Sequence, residues 1–466
     1  MKSAYQRVSL LIAVLAFFLA EPPEIRAGQS VGDVNAAASP SSTSLFQSLL
    51  SADHLLGGIP GRQQLSDSNG ITFNGQLIND MLWNTVGGLK AGNADAGLLQ
   101  FGLDADLKKL IGWDGGTFHT SWLYTYGVDL ENHIGGNLSP SSVATQMPSF
   151  RCYELWYQQA FLNNLFNVRG GLLAIDTEFT LSYTAALFVN ELFGLANIAT
   201  FNLANGGPQY PMSTPGIRLE IDPTDWLMLH TVFSQANPFS QEQNQHNFNW
   251  NFGPSGGLLN MTEGVVKWKS VLTSRLPGIA KLGYWIQNGP TPTLPQNYSQ
   301  VGSPQSVMYS TGFYGVIDQA LYRVHHSSPG DTELTDAEDS VVPMPAENSP
   351  QGLDAYGRMG YTPQPNNPMT LFMDTGLVYT GLIPGRKNDR IGVAFAYGQM
   401  STGYRNLAAQ DNVPGAGYGG VAEWTYSIQL TPAITLQPDL QYIFHPSGTQ
   451  EYGNSLVAGF RATVVF

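Results

Sequence analysis

Along most of the chain from residue 71 to the carboxyl terminus, apolar side chains recur at every second position, a period that only extended chain satisfies. Leu99, Phe101, Leu103, Ala105 and Leu107 are apolar, with Gln100, Gly102, Asp104 and Asp106 between them. Successive side chains of a strand point to opposite faces, so this segment has one oily face and one wet face. On a helix the same residues would scatter around the cylinder. Ile434, Leu436, Leu440, Tyr442 and Phe444 alternate likewise with Thr435, Gln437, Asp439 and Gln441, as do Ala422, Trp424, Tyr426, Ile428 and Leu430 with Glu423, Thr425, Ser427 and Gln429. Similar segments at about 71–82, 117–127, 150–161, 165–176, 215–222, 226–234, 261–269, 278–288, 308–320, 370–380, 389–400 and 454–466 bring the predicted strands to fifteen. One more would make the number even.

The first residues read as an export signal. Lys2 and Arg7 precede an apolar run from Leu10 to Ala20, too short for the roughly 20 residues of a spanning helix. Cleavage is expected after Ala27, with Ala20 as the alternative, so residues 1–27 are assigned to the signal, 28–54 to a flexible Ala/Ser/Gly/Pro segment and 55–466 to the folded domain. No later segment is long and apolar enough for a membrane helix. Charged residues are 12% of the chain, about half the roughly 25% of soluble proteins, and aromatics are 11%, a balance that excludes disorder. The net charge of −14 disfavours a nucleic-acid partner. A single cysteine, Cys152, excludes an intramolecular disulfide and a thiolate zinc site, and no metal or other cofactor is expected.

Alternation also occurs in soluble sandwiches, so the choice rests on the ends of the strands. Tyr124, Tyr126, Tyr379, Tyr397, Tyr442 and Phe444 sit where apolar faces end, as amphipathic rings do at a lipid–water boundary. Phe460, Ala462, Val464 and Phe466 carry the two-residue period to the last residue, an ending that resembles the assembly signal of outer-membrane barrels. In a bilayer every backbone polar group must be paired, which strands achieve only by closing. The length allows about 27 residues per strand and connection for sixteen strands, where a spanning strand takes about 9–11. The predicted fold is therefore all-β, a closed antiparallel transmembrane barrel of sixteen strands with short periplasmic turns, long external loops and an aqueous channel. Pro384-Gly385 and Thr431-Pro432 mark turns; the longest connection, about 324–367, is proline-rich and carries Asp331, Glu333, Asp336, Glu338 and Asp339.

Several segments resemble the carbohydrate-selective OprB porin family. Leu55-Leu56-Gly57 with Gly61, Leu65 and Gly70-Ile71 is similar to its opening motif, without the acidic and tryptophan residues usual after the first glycine. Gly112-Trp113-Asp114-Gly115-Gly116-Thr117-Phe118-His119, Arg151-Cys152-Tyr153-Glu154-Leu155-Trp156-Tyr157-Gln158-Gln159, Gly171 to Phe179, Leu187-Phe188-Val189-Asn190 with Phe193-Gly194, and Gly459 to Phe466 follow in the family's order. The resemblance implies a sixteen-stranded bacterial outer-membrane porin that passes monosaccharides such as glucose by diffusion. Its partners would be small neutral sugars, outer-membrane lipid, the barrel assembly machinery and, as in many porins, further copies of itself.

A sugar offers hydroxyls to polar side chains and a C–H face to rings. Strand parity selects the residues that face such a solute. With Tyr153, Leu155 and Tyr157 outward, Glu154, Trp156 and Gln158 face in; with Phe166, Val168, Leu172 and Ala174 outward, Arg169 faces in. The same reasoning places Asp104, Asp106, His119, Arg218, Glu220, Lys281, Trp285, Asp374 and Arg461 inside. Arg151 falls on the outward parity, which requires a rim position or a register shift of one. Ala185 to Gly194 breaks the two-residue period; it either folds inward and narrows the pore or packs on the wall.

Two motifs lack the context their chemistry needs. Gly253-Pro254-Ser255-Gly256-Gly257 matches a hydrolase serine elbow without the strand–turn–helix setting, and Gly415-x-Gly417-x-x-Gly420 precedes a strand instead of opening a helix. The histidines, His325-His326 included, lack metal-ligand spacing. A secreted β-rich polysaccharide hydrolase using Asp104 and Asp106 is the rival from another class, and a porin for other solutes is the rival within this one.

Overall fold

The computed structural model describes residues from Arg62 to Phe466, except 137–138, 195–196, 269–275, 292–306, 325–349, 364–366 and a few single positions. The signal, the 28–54 segment, Leu55 to Gly61, His325-His326 and the acidic patch at 331–339 lie outside the described residues. Sixteen strands form one closed antiparallel barrel, each paired with its sequence neighbours and β1 with β16. They are β1 (Ile71–Gly88), β2 (Gly92–Asp106), β3 (Gly116–Gly127), β4 (Ser149–Phe161), β5 (Phe166–Leu173), β6 (Thr214–Thr224), β7 (Leu227–Gln235) and β8 (Leu258–Trp268), then β9 (Gly278–Thr291), β10 (Val307–Arg323), β11 (Gly352–Tyr361), β12 (Met369–Thr380), β13 (Arg390–Met400), β14 (Tyr418–Thr431), β15 (Ile434–Phe444) and β16 (Gly453–Val465).

The sixteenth strand is β11, hidden in the stretch expected to be one long loop. Its outward positions are Leu353, Ala355, Gly357, Met359 and Tyr361, and the small residues in that row dilute the apolar face. Closure by β1 and β16 places both ends of the barrel sequence at one rim, the terminal rim. Connections there are mostly short, such as 162–165, 225–226 and 432–433, whereas the far rim carries 128–148, 174–213, 236–257 and 401–417. The exception by length is the 324–351 connection, which joins the ends of β10 and β11 at the terminal rim.

The outward faces are apolar and open. Phe101, Leu155, Ile217, Phe233, Leu282, Phe313, Met359, Leu377, Phe395, Trp424 and Leu440 are all exposed although they sit mid-strand. A soluble fold would bury such a band; a bilayer covers it. The inward faces are of two kinds. Towards the terminal rim, β2 turns Gln100, Asp104 and Asp106 inward; towards the far rim the same parity carries the buried Ala94, Ala96 and Leu98. The apolar half packs on chain that folds into the barrel. Leu187, Phe188, Leu192, Phe193, Ile198 and Ala199 of the 174–213 connection form one buried cluster with Tyr356, Met369, Phe372, Ala394, Ala396, Val421 and Val457 of the wall.

Candidate functional site

The inner wall from β2 to β6 carries a continuous row of polar side chains. Asp104 pairs with His119 across β2 and β3, and His119 with Trp156 across β3 and β4. Gln158 pairs with Arg169, Arg169 with Arg218, and Asn167 with Glu220. In space, His119 Nδ1 lies 2.6 Å from Asp104 Oδ1, and Asn74 donates to the other Asp104 oxygen at 2.8 Å. The imidazole stacks on the Trp156 indole with centroids 4.8 Å apart, and the Arg169 guanidinium stands 3.9 Å from the same ring. Trp156 is therefore flanked by two ring-stacking neighbours instead of standing clear as a platform for a sugar face.

Arg169 and Arg218 are directly opposed, an arrangement that repels when unaided. The chain resolves it with Glu178, delivered from the 174–213 connection. Arg218 donates to both Glu178 oxygens, each at 2.9 Å, and Arg169 pairs with one of them. Burial alone would raise the Glu178 carboxyl, but the two guanidinium groups outweigh it and hold it at about 2. Gln158 accepts from Arg169 at 3.0 Å and from Arg218 at 3.2 Å. Arg218 also lies 3.0 Å from Glu220, which accepts from Asn167 at 3.0 Å. Glu154 is buried beside this row, 3.9 Å from His119 Nε2 and within reach of Thr177 Oγ1 at 3.4 Å. Two guanidinium groups and four carboxylates, those of Asp104, Glu154, Glu178 and Glu220, thus interleave with amide groups on one wall. Such a surface exchanges hydrogen bonds with hydroxyls, and within it Arg169 and Arg218 balance Glu178 and Glu220.

Five other residues expected to face the solute are committed elsewhere. Asp106 keeps the inward parity, but its carboxylate caps the short helix α1 (Leu107–Ile111) at the rim, accepting from the Lys108 and Lys109 amides. That also removes it from a paired-carboxylate site with Asp104. Lys281 is buried 3.7 Å from Glu263 and 5.1 Å from the Tyr183 ring centroid, and Trp285 is fully buried in the apolar cluster. Asp374 makes a bidentate pair with Arg358, whose remaining donors reach the Leu192 and Gly194 carbonyls. Arg461 clamps Asp80 at 2.7 Å through two nitrogens and donates to Ser142 Oγ. These four inward residues support the folded-in chain; they do not border open space.

Sequence reasoning missed the other anchors of that chain. Glu423 accepts from the Val189 and Asn190 amides at 2.7 and 3.0 Å, Asp318 from Ser182 Oγ and the Thr184 amide, and Glu263 from the Thr180 amide. Gln437 donates to the Leu187 carbonyl. Between the alternatives left by the sequence for Ala185 to Gly194, the segment folds inward and also packs on the wall. At its outer edge Glu191 accepts from the Ser139 amide at 2.8 Å and Asp129 from Ser139 Oγ at 3.0 Å, joining it to the 128–148 connection. Desolvation and then neighbouring carboxylates raise Glu191 and, to about 7, Glu131.

Arg151 faces in. A bulge sets Ser121 opposite Glu154 and Trp122 opposite Cys152, so Tyr153 is an extra residue and the parity changes there. Tyr153, expected outward, instead points in and donates to Asp176 at 2.7 Å. Arg151 is fully buried and donates to Ser149 Oγ and the Pro211 carbonyl, beneath the inward chain and away from open space. Ala174, also expected outward, lies just past the end of β5 in an inner cluster with Tyr153 and Val143.

Residues 90–466 match the family described as carbohydrate-selective porin, OprB family. The chain is 23% identical to Porin B of Pseudomonas aeruginosa over 435 residues, covering 88% of this chain and 91% of that one. It is 22% identical to the putative porin QuiX of Acinetobacter baylyi over 469 residues, covering 94% and 99%. Among solved structures, a high-pH structure of Pseudomonas putida OprB superposes with a TM-score of 0.75 at 21% identity, covering 89% of this chain and 99% of that chain.

Proposed function

Because this chain belongs to the carbohydrate-selective porin family OprB, we propose that sugars cross its barrel along the β2–β6 wall, past Gln158, Arg169, Glu178, Arg218 and Glu220. The protein is an outer-membrane channel for carbohydrates, and its chemistry is passage, not turnover. The observation that carries the path is the Glu178 carboxylate held between Arg169 and Arg218. That pairing cancels charge locally while keeping oxygens and N–H groups turned towards a solute. A neutral monosaccharide such as glucose can trade water for these groups without paying for an unpaired ion, whereas a small ion gains little. Asp104, His119 and Glu154 extend the row, and Trp156 keeps the Arg169 plane fixed. Outer-membrane lipid covers the exterior band, and the strand-end Phe466 serves the barrel assembly machinery.

Planar-bilayer conductance tests this path. Glucose is expected to reduce the current through the wild-type channel, and a salt or an amino acid is not. Replacing Arg169 by Ala should weaken the glucose block by about tenfold, the worth of one charge-assisted hydrogen bond. Unchanged block would take Arg169 out of the path. Liposome swelling with sugars of increasing size then gives the cut-off of the constriction.

A further inference from the structure

The barrel wall has a notch at the far rim. The pairing of β5 with β4 ends at Leu172, opposite Leu155, so the Ser149–Glu154 half of β4 has no strand partner on its β5 side. Unpaired strand edges are costly at membrane depth, because lipid supplies no hydrogen bonds. The 236–257 connection covers this edge from outside. Asn247, fully buried and at φ 65°, donates through Nδ2 to the Cys152 carbonyl at 2.8 Å and to Ser213 Oγ at 3.2 Å. His246 Nδ1 meets the Phe150 carbonyl at 2.6 Å. Asn244 braces the turn, donating to the Pro238 carbonyl and accepting from the Asn249 amide, both at 2.9 Å. Cys152 lies opposite the outward-facing Trp122, yet it is fully buried.

The same connection extends the aromatic surface of the wall. Phe101 stacks on Phe150, Phe150 on Trp122 at 5.3 Å, and the row continues through Phe248 at 6.4 Å from Trp122 to Trp250 at 6.0 Å from Phe248. Phe248 and Trp250 are 51% and 42% exposed, and Phe252 beyond them is 79% exposed. Apolar rings this open on a loop need a cover other than water. Their continuity with the lipid-facing band says which.

We propose that the 236–257 connection is a latch that seals the wall notch and sets Phe248, Trp250 and Phe252 into the acyl–headgroup boundary of the outer leaflet. Tyr and Trp favour that level because one end of the side chain is apolar and the other polar; Trp250 Nε1 donates to the Asn247 carbonyl at 2.8 Å and so ties the ring to the seal.

The test uses the full-length protein in phosphatidylcholine liposomes, with nitroxide labels at Phe252→Cys, Ser255→Cys and Phe395→Cys, each combined with Cys152→Ser. Oxygen and a water-soluble nickel chelate report lipid and water exposure. The label at 252 should favour oxygen over nickel about fivefold more than the label at 255, approaching the mid-wall label at 395. A label at 252 as wet as that at 255, while 395 reads lipid, overturns the latch and leaves the channel reading standing. Low access to both quenchers at 252 means protein covers the site, and this also overturns the lipid assignment. Sealing is read separately in the otherwise native chain. Asn247→Ala should speed maleimide labelling of Cys152 by about tenfold, since local opening then exposes it. An unchanged rate overturns the sealing role.

Discussion

Replacing Glu178 with Gln removes the carboxylate that separates Arg169 from Arg218 while keeping its size and hydrogen-bonding reach. Arg218 retains Glu220 at 3.0 Å, but Arg169 is left with Gln158 and the Trp156 ring. The wall therefore gains one positive charge facing the path. For an ion passing at roughly 7 Å in water, a unit charge is worth about 0.6 kcal/mol. An anion gains that amount and a cation loses it, so the anion-to-cation preference rises about sevenfold, or about threefold once 0.1 M salt screens the charge. The zero-current potential across a bilayer with a KCl gradient measures this ratio directly. Glu178 lies outside the strands, and its carboxyl is held at about 2, below its ordinary 4.5. Its ionised form thus stabilises the fold at all pH above 4.5, and that contribution is lost only as pH falls through about 2. Glu178 should accordingly stay ionised from pH 8 to pH 4, so acidification in that window does not remove the carboxylate that the variant removes. An E178Q channel with wild-type selectivity would refute the placement of this trio on the conduction path.

Trp156→Ala should weaken glucose block about as much as Arg169→Ala, and the double variant little further, because the indole acts through the guanidinium it supports; conductance titrations of the four channels give the cycle. Asp374→Asn leaves the Arg358 guanidinium buried without its counter-charge, a loss of about 3 kcal/mol or more; the temperature at which the folded band disappears on a detergent gel should fall, with unchanged stability as the contrary result. The carboxyl groups of Glu191 and Glu131 are raised, the latter to about 7, by desolvation and then by nearby carboxylates. A raised carboxyl stabilises the packed state in its protonated form, so that contribution is complete below about 4.5 and fades as pH climbs to about 7. Amide exchange at Ser139, corrected for its intrinsic pH dependence, should therefore quicken across that window.

The barrel was legible because its outward face obeys one rule along every strand. Phe395, Trp424 and Leu440 are apolar for the same reason, and no contact between distant segments is needed to predict them. β11 escaped because Ala355 and Gly357 thin its outward row inside a proline-rich stretch. The polar row on β2–β6 was legible for a related reason: His119, Trp156, Arg169 and Arg218 follow parity in strands that are wet on the inside. Parity gives a direction, however, and cannot tell a residue facing water from one facing folded-in chain. Lys281, Trp285, Asp374 and Arg461 point inward as expected and end up beneath the 174–213 connection or clamped to the 139–143 chain. For Arg151 parity left a rim position or a register shift of one, and the shift is what the structure holds, a bulge that alternation alone does not locate.

Glu178 was the least legible residue of the site, since it belongs to no strand and carries no period. Its place is dictated by the wall. Once β5 and β6 set Arg169 opposite Arg218, the two like charges need a carboxylate between them, and the connection leaving β5 supplies one within nine residues of Arg169. The anchors follow the same logic on the other side of the barrel. Glu263, Asp318, Arg358 and Glu423 meet backbone N–H and C=O groups at successive points of the inward chain, where strand ladders are absent and water is excluded. An inward segment of 3₁₀ turns cannot satisfy its own backbone, so the charged residues of this wall divide their work: those on β2–β6 pair mainly with one another and with Glu178, and those on β8–β15 supply the hydrogen bonds that the inward chain lacks. A substitution among the β8–β15 anchors is therefore expected to loosen the inward chain and leave the pairing of Arg218 with Glu220 in place.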